Sequence, residues 1–96
     1  MNVREVQAQI DSVLPLLREQ GVEKLSVFGS VAEGTANAAS DIDFLVEFSP
    51  PSTSDTYFGA LFLLEDAFNR KIDLVEPATL HPLIRDRVIA GAIRVA

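Results

Sequence analysis

Apolar positions run first at helical and then at strand spacing. Val3, Val6, Ile10, Val13, Leu14 and Leu17 recur three or four apart, which predicts an amphipathic helix. Asn2, followed three residues later by Glu5, reads as its N-cap with a capping-box partner, and Gly21 ends it in the usual C-terminal position. Pro15 interrupts the run and predicts a kink or a split near Ser12–Leu14. Lys24–Phe28 reads as a buried strand closed by Gly29. Val31–Gly34 reads as a helical turn, with Gly34 supplying a positive φ, and the small, polar Thr35–Ser40 as a loop.

Asp41–Phe48 alternates. Ile42, Phe44, Val46 and Phe48 share one face of a strand, and Asp41, Asp43, Leu45 and Glu47 share the other. Ser49-Pro50-Pro51-Ser52 breaks it. Ser54 or Asp55 then caps a helix to about Asn69. Its stripe is Tyr57, Ala60, Leu61, Leu64, Ala67 and Phe68, with Phe58 and Phe62 about 100° round from the stripe. Lys71–Val75 is a third strand stopped by Pro77. Pro82–Ala90 is a third helix ended by Gly91, with Leu83, Ile84, Val88 and Ile89 expected inward, and Ala92–Val95 is a short terminal strand. The order α, β, β, α, β, α, β, with a short link between the first two strands, predicts an α+β (α/β) fold with a small mixed sheet flanked by helices. Residues 1–96 suit one domain.

Composition narrows the function. The net charge is −6, so direct nucleic-acid binding through bulk charge is not expected, and a phosphate ligand would need divalent cations to neutralise it. With no cysteine there is neither a disulfide framework nor a thiolate metal site, which suits a reducing cytoplasm. Neither a signal peptide nor a membrane span is expected.

Asp41 and Asp43 are the strongest chemical signal. Two residues apart on a strand, they share a face about 7 Å apart and repel one another unless a cation lies between them. Leu45 continues that face, so it is partly covered. Asp73 stands in a second apolar strand, Ile72-Asp73-Leu74-Val75, where a lone carboxylate is costly without a partner. If the two strands pair, all three carboxylates converge as a cluster suited to two-metal phosphoryl or nucleotidyl transfer. Gly29-Ser30 offers a backbone that phosphate can approach closely and a donating hydroxyl, but lacks the following Lys-Ser/Thr of a P-loop. The bland alternatives are a solvated acidic strand face, an Asp73 paired to Arg70 or Lys71, and an ordinary Gly-Ser turn. His81, the sole histidine, reads as a cap or surface residue, and Tyr57 as core or interface. Phe58 and Phe62 either pack under the Pro50-Pro51 loop or form a patch for a partner or a second copy.

Gly29-Ser30, Ala32 and Gly34, then Ser40-Asp41-Ile42-Asp43, resemble the minimal nucleotidyltransferases of the polymerase-beta-like superfamily. Arg70-Lys71-Ile72-Asp73-Leu74-Val75 resembles the strand bearing that family's third carboxylate, and Leu80-His81-Pro82-Leu83-Ile84-Arg85 its C-terminal helix. The resemblance implies a nucleotidyltransferase palm that moves a nucleoside monophosphate, expected to be AMP, from an NTP to a hydroxyl. It implies that Gly29 and Ser30 hold the β- and γ-phosphates, and that Asp41 and Asp43 hold two Mg²⁺ ions with the bound nucleotide, expected to be ATP. Asp73 is implied to complete the metal site and help activate the acceptor. Short members of the family are typically antitoxins of HEPN-type toxin ribonucleases, some acting by AMPylating a toxin tyrosine and others by binding. The chain departs from the pattern at Glu33, where the family has arginine. That reversal bears on NTP affinity, and Arg70 and Lys71 are substitutes if the fold brings them close.

Overall fold

The computed structural model describes residues 1–96. Helix α1 (Val3–Glu19) leads into β1 (Val22–Phe28), the short helix α2 (Gly29–Glu33) and β2 (Ile42–Phe48). Helix α3 (Ser54–Phe68), β3 (Ile72–Val75), a 3₁₀ turn (Pro77–Thr79), α4 (Pro82–Gly91) and β4 (Ile93–Arg94) follow. The sheet order is β3-β2-β1-β4; β1 is antiparallel to both β2 and β4, and β2 is parallel to β3. The mixed sheet matches expectation, because only a crossover such as α3 can return the chain for a parallel pairing.

Helix α1 runs from Val3 to Glu19 with Pro15 inside it, so the chain does not split there. Pro15 is on the exposed side, where water can take the carbonyl bond that its missing N–H forgoes. Asn2 caps the helix by accepting from the Glu5 N–H at 2.9 Å. The full reciprocal box forms instead at α3. Its cap is Thr53 rather than Ser54 or Asp55, because the Thr53 and Thr56 hydroxyls each accept from the other's backbone N–H. Gly21 (φ 85°) and Gly34 (φ 79°) adopt the expected left-handed turns.

Strand β1 begins at Val22, earlier than its sequence pattern suggested. A bulge between Val22 and Lys24 lets Val22 and Leu25 both reach the core and breaks the period-two signal there. One face of the sheet packs on α1 and α3: Leu25 and Val27, Ile42, Phe44 and Val46, and Ile72 and Leu74 meet Val6, Ile10, Leu17, Ala60, Leu64 and Phe68. Phe44 and Phe68 lie 5.8 Å apart, centroid to centroid, at the centre of this layer. Leu45 is buried too, but stands outside this cluster, on the opposite face.

Helix α4 departs most from expectation. Leu83, Ile84 and Ile89, expected inward, are exposed, Leu83 to 88%, and α4 contributes no buried residue. It is held by polar ties instead. His81 Nδ1 accepts from the Leu83 N–H, which confirms the capping role, and Arg85 donates to the carbonyls of Pro77 and Leu80. Phe58 and Phe62 do not lie under the Pro50-Pro51 loop as a covered pair; they stand 48% and 62% exposed, 6.1 Å apart. Tyr57 packs against the core and donates its hydroxyl to the Leu74 carbonyl. No helix is long and apolar enough to cross a membrane.

Candidate functional site

The second face of the sheet carries the candidate residues. Because β2 and β3 are parallel and in register, Asp43 lies directly opposite Asp73, flanked by the Ile42–Ile72 and Phe44–Leu74 pairs. Strand β1 ends with Phe28 opposite Asp43, so the chain's next residue, Gly29, starts beside the same carboxylate. Gly29 has φ 68°, and a Cβ built there would overlap the Asp43 carboxylate, with its Cγ only 3.2 Å away. Two separate requirements, the left-handed backbone and the space, fix glycine at this position. The sequence showed Gly29 as a phosphate-approach candidate; its contact with Asp43 could not be read without the β1–β2 register.

Asp43 is the electrostatic centre. Burial raises its pKa from 3.8 to about 6, helped by a side-chain hydrogen bond with Asp73 and by the charges of Asp73 and Asp41. Asp43 is therefore influenced more by Asp73, across strands, than by Asp41 along its own chain. Asp41 sits one residue before β2 and is 3.8 Å from the Lys71 ammonium, an exposed pair worth little to stability. As the side chains stand, no three Asp, Glu or His groups are drawn together as a metal cage. The donor chemistry nevertheless fits a hard divalent cation. All donors are carboxylate oxygens, and Asp43 and Asp73 are held close enough for repulsion to favour a shared proton, which a cation would replace.

Ser30 follows Gly29 in the first turn of α2, and its backbone carbonyl accepts from the Thr35 N–H at 2.9 Å, tightening the turn into the loop. Beside Gly29 opens a cleft of about 150 Å³ lined by Phe28, Gly29, Glu33, Arg87, Val88 and Gly91. Glu33 is thus a wall of the cleft at Gly29. The cations that the sequence offered as substitutes are turned to other partners: Lys71 to Asp41, and Arg70 to the Asn37 carbonyl at 3.4 Å. Arg87, which sequence reasoning missed, is the cation in the cleft; only the packing of α4 against α2 could have revealed it. Tyr57 lies apart, its pKa raised by burial and then by Glu76 and Asp73, which keeps the phenol protonated.

A mixed sheet with an acidic pair facing a Gly-Ser turn defines a nucleotidyltransferase, and the chain belongs to that family: the nucleotidyltransferase domain model matches residues 10–95. Within it the chain is a minimal nucleotidyltransferase. It is 33% identical over 95 residues, 99% of each chain, to a Methanocaldococcus jannaschii protein provisionally named a protein adenylyltransferase. It superposes with TM-score 0.83 on a structure provisionally described as a minimal nucleotidyltransferase, at 33% identity and covering 97% of this chain and 95% of that one. A more distant fold match, TM-score 0.65 at 18% identity over 94% of this chain and 71% of the other, is a tri-AMPylated Shewanella oneidensis HEPN toxin in complex with an MNT antitoxin.

Proposed function

We propose that this nucleotidyltransferase moves AMP from ATP to a hydroxyl of a HEPN-type toxin and thereby acts as its antitoxin in the cytoplasm. The observation that carries the reading is the abutment of Gly29 on the Asp43 carboxylate, itself opposite Asp73. The phosphate-approach turn and the acidic pair meet at one point. The relatives' names support the acceptor and partner classes.

Asp41, Asp43 and Asp73 would hold Mg²⁺. Bound there with ATP, the metal supplies charge neutralisation of the phosphates and acidification of the acceptor hydroxyl. The Gly29 backbone and Ser30 hydroxyl hold the β- and γ-phosphates. The acceptor oxygen forms a bond to the α-phosphorus as the bond to the bridging α–β oxygen breaks. Pyrophosphate leaves with that electron pair, and Asp73, the exposed member of the pair, takes the acceptor proton.

Glu33 in the wall of the Gly29 cleft favours a second reading, in which nucleotide grip is weak and the protein neutralises its toxin by contact. Incubation with Mg²⁺, ATP labelled at the α-phosphate and a HEPN-type toxin that this chain neutralises separates the two. Label on the toxin that vanishes in Asp41→Asn and Asp43→Asn supports transfer. Unlabelled toxin that is still neutralised by both variants rejects transfer in favour of binding.

A further inference from the structure

Helix α4 carries two arginines two residues apart with opposite employment. Arg85 donates to the carbonyls of Pro77, Ala78 and Leu80 at 3.0, 3.4 and 2.8 Å and so ties α4 to the 3₁₀ turn. Two residues on, a helix has turned through about 200°. Arg87 accordingly leaves from the other side and lines the cleft with Gly29, Glu33 and Gly91. It makes no hydrogen bond or ion pair within the protein, whose single ion pair joins Lys71 to Asp41. Arg87 is exposed, and it shares the cleft with the Gly29 turn and with Glu33 while all its donors are free. Phosphate oxygens suit its guanidinium fork, since they accept two parallel N–H bonds.

We infer that Arg87 is the phosphate-binding cation of this chain, engaging the β- or γ-phosphate of ATP at Gly29-Ser30, while Glu33 in the same cleft opposes and limits that grip. The inference rests on the cleft being the nucleotide site, as proposed above. Arg85 gives it a mechanical basis: by fixing α4, it holds Arg87 near the phosphates without Arg87 spending a bond on the fold. Arg4 provides a matched comparison. It is exposed and lines a different hollow, which shares Glu33 with the cleft but does not include Gly29.

The test is calorimetry of the full chain with Mg²⁺ and either a non-hydrolysable ATP analogue or AMP, alongside steady-state transfer. Arg87→Ala is expected to weaken the analogue about tenfold or more, leave AMP affinity unchanged and raise the KM for ATP more than it lowers kcat. Arg87→Lys should recover part of the loss. Glu33→Arg placed in the Arg87→Ala chain should recover most of it, by returning a cation to the same cleft. Arg4→Ala should bind as the unaltered chain does. Equal analogue affinity in Arg87→Ala overturns the inference and leaves the nucleotide site standing, as does an equal loss in Arg4→Ala, which would make the effect one of net charge. An unaltered chain that binds no analogue at all overturns both the inference and the reading beneath it.

Discussion

The two faces of β2 differ by one residue of register and by almost everything else. On one, Ile42, Phe44 and Val46 are fully buried in a continuous layer with α1 and α3. On the other, Asp43 and Asp73 face each other and Leu45 is the sole buried side chain. The first face favours the folded state through dispersion and lost apolar hydration. The second carries like charges that work against folding until something binds between them. The difference teaches that one short sheet separates its stabilising core from the candidate site by side-chain alternation alone.

The comparison breaks most visibly on the core side. Phe44→Ala should cost about 3–5 kcal/mol, since it opens a cavity against Phe68 where nothing can relax into it. Denaturant unfolding checks this, and a loss under 1 kcal/mol would mean that the buried layer is not the chief source of stability. Next comes Gly29→Ala, at the seam between the faces. The left-handed backbone costs about 1–2 kcal/mol, and the new methyl must displace the Asp43 carboxylate. Transfer should be lost while the protein remains folded by circular dichroism. Retained transfer would show that the Gly29–Asp43 contact is dispensable.

On the chemical face the sign reverses. The folded-state pKa of Asp43 is about 6 against 3.8 unfolded, so between those values the folded protein keeps a proton that the unfolded chain has released. Metal-free stability should therefore fall as pH rises from about 4 to about 6 and stay reduced above that. Asp43→Asn should abolish this slope and stabilise the metal-free protein at neutral pH by about 1 kcal/mol, after discounting the shift for solvent screening at a part-exposed group. Added Mg²⁺ should raise the melting temperature of the unaltered chain at neutral pH but not that of Asp43→Asn. A variant that melts lower than the parent without metal would show that Asp43 is a structural residue instead of a repelled one.

Sequence patterning was informative to different depths on the two faces. Period-two alternation placed Ile42, Phe44 and Val46 against Asp43 and Leu45 because β2 is regular, and Asp73 stood out because a carboxylate in a four-residue apolar strand needs a reason. The β1 bulge hid Val22, since a bulge erases the period that reveals a strand. The direct Asp43–Asp73 pairing and the approach of Gly29 depend on inter-strand register, which no single-strand pattern contains. Arg87 was invisible for a further reason: its place depends on how α4 sits, and α4 is positioned by Arg85 reaching backbone carbonyls, an arrangement without periodicity.

Helix α4 gives the smallest predicted effect and the finest test of the comparison. Its apolar residues Leu83, Ile84 and Ile89 are spread round the helix, whereas those of α1 share one face; α1 buries Val6, Ile10 and Leu17 and α4 buries nothing. Apolar residues that do not gather on one side give a helix no face to pack, so their number alone does not predict burial. Leu83 is 88% exposed, so Leu83→Ser removes almost no buried area and should change stability by less than about 0.5 kcal/mol. Leu17→Ala, matched in residue type but fully buried, should cost about 2–5 kcal/mol. Paired denaturant curves read both, and a Leu83→Ser loss above 1 kcal/mol would place α4 within the stabilising layer and end the division of labour between the two faces.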